Sequence, residues 1–394
     1  MDAAFLWEWA NLGLRWLHVI TAIAWIGASF YFIALDNSLE APKDGDPLVR
    51  GEQWSVHGGG FYYKRKYKGA PPALPKRLHW FKWEAYWTWI SGFALFALIY
   101  WGQASTFLID PAVADLPVWG AVLLSLALIV GAQIAYEGLC RVLEGRESAL
   151  LGAGFLLLAV LALLATSLFS GRGAFLVVGV ALGTIMVANV AHIIIPGQRK
   201  MVAAIAEGRE PDPVHGERGK QRSVHNTYLT LPVLVMMLSP HYPMLTQGRW
   251  NWVALLLLVV AGALIRQFFV LRHSGRTSTA MALGGAAALA ATAFVVAPRH
   301  DARFAGAEAP AFTEVQTITA TRCATCHAAR PTFEGIAIPP KGVVLERPAE
   351  LRRWAQAMRQ QVASEAMPPG NLTEMTEEER ARLVAWVAAG APLD

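Results

Sequence analysis

Cysteine is scarce in this chain, with three residues in 394. Cys323 and Cys326 sit together and leave Cys140 without a mate, which excludes a disulfide framework and leaves Cys140 as a small buried hydrophobe. Charge is scarce as well, at 16% of residues against 55% hydrophobic. That balance is a membrane composition, with the lipid bilayer as the first partner. No cleavable leader is apparent, because Asp2 and Glu8 stand where a basic region belongs and no small-residue cleavage site follows. The loop 103–116 lacks lysine and arginine altogether and carries Asp110 and Asp115. A net charge of +5 calls for no nucleic acid partner, because the excess is gathered in a few loops beside an anionic membrane surface.

Long apolar stretches are plentiful. Eight are of spanning or near-spanning length, at about 6–34, 84–102, 117–139, 149–170, 173–196, 225–241, 250–271 and 277–297. The sixth is the weakest, being short and interrupted by Pro232. Fifteen tryptophans suit interfacial anchoring. The loops 35–83 and 197–224 are rich in lysine and arginine, and the connections Arg141–Arg146 and Arg272–Arg276 are basic too. The positive-inside pattern makes these loops cytoplasmic and puts both termini outside. The expected fold is all-α: a polytopic membrane helix bundle of about eight spans over 1–297, a tether over 298–311, and a helical periplasmic domain over 312–394, in a bacterial inner membrane.

The last domain carries Cys323-Ala324-Thr325-Cys326-His327. Two thiols at this spacing add to the vinyl groups of a haem, and the adjacent histidine is placed to ligate the iron. Met367, in Ala366-Met367-Pro368-Pro369-Gly370, is the expected second axial ligand of this haem c, with Met358 and Met375 as weaker candidates. Helices are expected at 311–327, 348–363 and 376–389, the last opened by Thr376 and three glutamates. This tail resembles a small class I cytochrome c. Covalent haem is assembled outside the bacterial cytoplasm, which agrees with the side chosen from loop charge.

Polar and ionisable groups inside spans are costly, so each is a functional candidate. Gln133 and Glu137 are four residues apart, and Asn189 and His192 three apart, which in an α-helix puts each pair on one face. Together with His225, Asn226 and Arg266 they suggest a polar cavity open to the cytoplasm. Glu137 and Arg266 are equally readable as a structural ion pair, and His192 and His225 as packing residues. His18, with Arg15 one turn before it, is open between a hydrogen-bonded core histidine and a haem ligand. In the first long loop, His57-Gly58-Gly59-Gly60 offers either a backbone nest for an anion or simple flexibility.

Together these features resemble the bacterial membrane-bound urate oxidases, which join an eight-span domain to a cytochrome c. The carriers are Arg15-Trp16-Leu17-His18 with Trp25-Ile26-Gly27, Val56-His57-Gly58-Gly59-Gly60-Phe61-Tyr62, Trp80-Phe81-Lys82-Trp83-Glu84-Ala85-Tyr86, Ala191-His192, and Ser223-Val224-His225-Asn226-Thr227-Tyr228-Leu229-Thr230-Leu231-Pro232. The resemblance implies oxidation of urate to 5-hydroxyisourate, with electrons passing to the fused haem c and on to a soluble cytochrome c or terminal oxidase. A planar purine anion needs a cation, amides and backbone donors, for which Arg266, Asn189, Asn226 and Gly59 are the expected residues. The proton-accepting base is expected among His192, His225 and Glu137. A cytoplasmic-side pocket would lie most of a bilayer from a periplasmic haem, about 30 Å of hydrocarbon. A haem b held by His18 would bridge that gap. The competing reading is a membrane electron carrier that oxidises quinol and performs no urate chemistry.

Overall fold

The computed structural model describes residues 3–297, 304, 306–333, 336 and 338–394. A helix covers each of the eight apolar stretches. They are α1 (Ala3–Asn37), α2 (Trp83–Phe96, continued by a π-turn over Ala97–Trp101), α4 (Val118–Val142) and α5 (Glu147–Leu168), with the short α3 (Ala104–Phe107) between α2 and α4. Then come α6 (Gly171–Ala188), which runs through a π-segment at Asn189–Ile194 into α7 (Ile195–Ala206), and α8 (Pro213–Leu238). The short α9 (Pro243–Thr246) precedes α10 (Asn251–His273) and α11 (Thr279–Val295). Among the described residues, five helices are long and apolar enough to cross a membrane, the α6–α7 pair counting as one of 36 residues. α1 turns Leu12, Trp16, Val19, Ile20 and Ile23 outward, as a lipid-facing helix must.

The centre of this bundle is α6, whose residues are almost all buried. Its start is pinned by Ser170. That hydroxyl donates to the Phe107 carbonyl at 2.7 Å and accepts from the Gly173 amide at 3.0 Å, while the Ser170 amide donates to the Leu108 carbonyl at 2.9 Å. The N-cap and the loop 103–110 thus satisfy each other's backbone groups in an apolar setting where water cannot. α8 begins twelve residues before its apolar stretch, capped by Asp212, whose carboxylate accepts from the Val214 amide at 2.9 Å, and with Pro213 at its first turn. Pro232 does not break it. Glycine at 262 on α10 leaves room there, since a Cβ would come within 3.0 Å of the proline ring.

One β-hairpin departs from the otherwise all-α fold. β1 (Val49–His57) pairs antiparallel with β2 (Gly60–Tyr67). Gly58 and Gly59 have φ of 59° and 78°, the left-handed pair that a two-residue type I′ turn requires. The glycine run is therefore a turn between strands. Its flanking residues Val56, Phe61 and Tyr62 are exposed.

The C-terminal domain has its own core, with α12 (Phe312–Arg322), α13 (Ala324–His327), α14 (Pro348–Ala363) and α15 (Glu377–Ala388) packed around Val315, Leu351, Leu383 and Trp386. The expected tether falls largely on 298–303 and 305, which lie outside the described residues. The domain touches the bundle through its 369–371 turn. At Gly370 a Cβ would sit 2.9 Å from the Ile109 carbonyl, so the contact depends on a missing side chain. Asp110 lies in the same contact. Burial raises its carboxyl above the usual range, and Glu365 adds to this against the Ala112 amide and Arg380.

Close backbone approach at the α6 start sets a stability test. A Cβ at Gly171 would lie 1.8 Å from the Thr246 carbonyl oxygen, so Gly171→Ala must displace backbone and should cost about 1–3 kcal/mol. At Gly152 nothing lies within 4 Å, and Gly152→Ala should be neutral or gain about 0.5–1 kcal/mol. Thermal unfolding in detergent measures both, and equal midpoints for the two variants would refute this packing.

Candidate functional site

Six side chains from α4, α8 and the π-segment that follows α6 form one hydrogen-bonded cluster inside the bundle. Asn189 Nδ2 donates to the Tyr136 hydroxyl at 3.1 Å and to Asn226 Oδ1 at 2.9 Å. Asn226 Nδ2 donates to the Met186 carbonyl at 2.9 Å, which fixes the orientation of that amide. The Tyr136 oxygen lies 2.7 Å from His225 Nδ1. Because Tyr136 already accepts from Asn189, its own proton is free for His225 Nδ1, which leaves the imidazole hydrogen on Nε2.

The cation of the cluster is Arg222. It is 4% exposed. Its Nη1 donates to Asn189 Oδ1 at 3.3 Å, its Nη2 pairs with Glu137 Oε2 at 3.0 Å, and its guanidinium carbon lies 5.1 Å from the Tyr136 ring centre. Its Nε is buried with no partner. Such a donor is expensive in an apolar interior and marks a place for a ligand. Glu137 also binds Arg141 at 2.9 Å, so its charge is shared by two arginines. Arg222 and Glu137 line a polar cavity with Cys140, Glu144, Arg218 and Gln221 that has about 810 Å³ of unfilled space, part of it open to the surface.

The sequence-expected residues separate here. Glu137, Asn189, Asn226 and His225 meet. His192 does not: it is exposed. The segment Asn189–Ile194 is a π-helix, and its wider turn takes His192 off the face that an α-helix would share with Asn189. Arg266 does not join either. It is 2% exposed on α10, with its guanidinium carbon 3.8 Å from the Phe30 ring centre on α1. Gly59 sits in the hairpin turn with nothing within 4 Å. Two cluster members escaped the sequence reading. Arg222 counted as a loop charge, and Tyr136 was hidden among apolar neighbours, although its position beside Glu137 on α4 was an available signal.

A second cleft of about 670 Å³ of unfilled space, lined by His18, Trp25, Thr88, Trp89, Gly92, Phe93, Gly183, Met186, Thr230 and Met237 among others, is almost wholly apolar. His18 Nδ1 lies 3.0 Å from the Thr88 carbonyl.

In the C-terminal domain, His327 Nδ1 lies 2.9 Å from the Val343 carbonyl. A carbonyl only accepts, so Nδ1 holds the hydrogen and Nε2 keeps its lone pair, the tautomer an iron ligand needs. Cys323 and Cys326 are free thiols. Burial pushes the Cys323 thiol up to about 12, as suits a sulfur held in an apolar cleft. Met358 and Met375 are buried in the domain core, whereas Met367 is half-buried on its loop. Arg380 pins that loop, donating to the Val362 and Met367 carbonyls at 3.0 and 2.8 Å and to Asn371 Oδ1 at 3.0 Å. The donor set suits a haem held by Cys323, Cys326, His327 and Met367.

Residues 4–297 match the urate oxidase N-terminal family. The match covers most of the chain. The chain belongs to the urate oxidase N-terminal family. Every residue of the polar cluster and of the His18 cleft lies within the matched part, and the C-terminal domain lies beyond it. No curated protein and no solved structure matches the chain. Membership in this family makes the chain a urate-related oxidoreductase and suggests urate as its substrate.

The acid response of the C-terminal domain follows from Glu379. Its carboxylate accepts from the Thr376 amide and from Arg322 Nε at 3.0 Å. Burial works to raise its pKa, but the Thr376 amide and Arg322 outweigh it and hold the group below the usual carboxylate range. A lowered folded-state pKa stabilises above the unfolded value, and that stability is lost as pH falls through the folded value. Glu379→Gln should lower the domain's melting midpoint in the full chain by about 5 °C at neutral pH. The difference from wild type should close in acid; a difference that stays constant with pH would contradict the ion-pair role.

Proposed function

We propose that this protein is a membrane urate oxidase that hydroxylates urate to 5-hydroxyisourate and releases the electrons to a haem c on its own C-terminal domain. The reaction balances as the urate anion plus water giving neutral 5-hydroxyisourate, one proton and two electrons. The observation that carries the proposal is the buried Arg222 at the floor of a polar cavity, beside two asparagines and a tyrosine–histidine pair, in a chain of this family.

Urate near neutral pH is a flat anion. The Arg222 guanidinium, with its free Nε, supplies a fixed charge and a donor in a site of low dielectric, where both count for more than in water. Asn189 holds that guanidinium, and Asn226 fixes the donor and acceptor sense of Asn189. Tyr136 and His225 form a proton relay. As a water approaches the purine, its proton passes to the Tyr136 oxygen while the Tyr136 proton moves to His225 Nδ1, so no isolated phenolate has to form. Glu137, shared between Arg222 and Arg141, balances the cation when the site is empty. Cys323, Cys326, His327 and Met367 would hold a haem, which would supply a one-electron acceptor in place of oxygen.

From the basic loops we infer that the cavity faces the cytoplasm across a bacterial inner membrane, with both termini in the periplasm. A soluble cytochrome c or a terminal oxidase is the acceptor we infer for the electrons.

Urate added without oxygen to the oxidised protein should reduce a c-type absorption band. Arg222→Gln should lower kcat/KM about 30- to 1,000-fold, the 2–4 kcal/mol typical of stranding one member of a buried charge pair. His192→Ala should stay within about threefold of wild type, as exposed positions do. Reduction by a quinol but not by urate would overturn the assignment and leave an electron carrier.

A further inference from the structure

We propose that the apolar cleft at His18 binds a second, non-covalent haem, with His18 Nε2 as its iron ligand. The site stands on the geometry of the cleft and borrows from the proposed function only the direction of electron flow.

The tautomer comes first. Thr88 O can only accept, so the contact at 3.0 Å places the His18 hydrogen on Nδ1 and leaves a lone pair on Nε2. That is the arrangement of a metal-ligating imidazole oriented by a backbone carbonyl, and the C-terminal domain repeats it at His327 and Val343. The ring lies flat on α2 because residue 92 is glycine: a Cβ there would be 2.5 Å from His18 Cε1.

The lining suits a flat macrocycle. Trp89 stacks on Phe93 with centroids 5.1 Å apart and is fixed by its indole N–H on Thr184 Oγ1 at 3.0 Å. Gly183 leaves open space on the α6 side, with nothing within 4 Å of where a Cβ would be. Arg15 stands one turn outward from His18 on α1. It is exposed and hydrogen-bonded to Asn11 at 3.2 Å, so its charge is available to a propionate.

The lining also weighs against a quinone. Quinone carbonyls only accept, and the donors here are used: Thr88 Oγ1 donates to Glu84 O at 2.6 Å, Thr230 Oγ1 to Asn226 O at 2.8 Å, and Trp89 to Thr184. Among the described lining residues this leaves the Trp25 indole, on the same helix as a histidine that offers a lone pair.

Position gives the haem a purpose. The cleft adjoins the polar cluster, because Met186 and Thr230 line it and both bond Asn226: the Met186 carbonyl accepts from Asn226, and Thr230 donates to the Asn226 carbonyl. From Asn189 to Gly171 the rise along α6 is about 27 Å, and the C-terminal domain touches the bundle near that outer end, at Ile109. Electron transfer weakens steeply over such a gap, and an iron at His18 divides it. Each passage reduces ferric iron to ferrous and returns it with no bond made or broken. Two passages carry the two electrons of one urate.

The test is acid–acetone extraction of the purified full-length protein, with haem in the extract compared with covalent haem on the denatured chain. We expect one extractable haem for each covalent one, and a b-type band beside the c-type band in the reduced spectrum. His18→Ala should lose the extractable haem and keep the covalent one. Gly183→Leu, which fills open space, should do the same while keeping the wild-type elution profile and helix content. Added imidazole should restore the b-type band to His18→Gly. Wild-type protein without extractable haem overturns the proposal, as does extractable haem retained in both His18→Ala and Gly183→Leu, or a quinone recovered in its place. None of these results bears on whether urate reduces the covalent haem, so the two proposals fail separately.

Discussion

A charged guanidinium buried among apolar helices is the constraint around which the inner half of the bundle is arranged. Arg222 cannot be moved into a medium of low dielectric without partners, since the unpaired charge would cost several kcal/mol. Its partners come from two other helices: Glu137 from α4 and Asn189 from α6. Asn189 can serve because it is itself held by Tyr136 and Asn226. The cluster therefore ties α4, α6 and α8 together by hydrogen bonds in a region where dispersion packing alone would let helices slide. The π-segment that begins at Asn189 belongs to the same arrangement, because it re-aims the side chains that follow.

Two chemically different spaces lie next to each other along α6. The inner one is polar, charged and open toward the basic loops. The outer one is apolar, walled by tryptophan and phenylalanine, with a single histidine. Met186 and Thr230 line the apolar one and bond Asn226 of the polar cluster. A polar anion and a flat apolar group would each find only one of the two congenial. At the outer end, the Ser170 cap holds the loop 103–110 against α6, and that loop meets the C-terminal domain at Gly370.

The helical architecture was legible because each apolar stretch is long and the turns between stretches are polar. The hairpin was not, because its glycine run reads equally as a ligand loop, a flexible link or a type I′ turn until the pairing of Val49–His57 with Gly60–Tyr67 is seen. Four members of the polar cluster were legible as costly groups inside spans. Arg222 was not, because hydropathy assigned it to a loop, whereas Asp212 and Pro213 start α8 early enough to carry it inward. Arg266 was misplaced for the opposite reason. Its depth in the chain suggested the cavity, but its side of α10 faces Phe30 on α1.

The sequence by itself determined which segments are apolar helices, where charge is excluded, the C-x-x-C-H motif with its methionine loop, and the family. These depend on composition, local spacing and short motifs, which survive without a third dimension. Only the tertiary structure decided which cation meets the asparagines, that His192 stands apart from them, and which histidine nitrogens keep a lone pair. Each of those depends on helix rotation and on a partner distant in the chain, as Thr88 is from His18 and Asn189 from Arg222, and no periodicity within one helix encodes the angle at which two helices face.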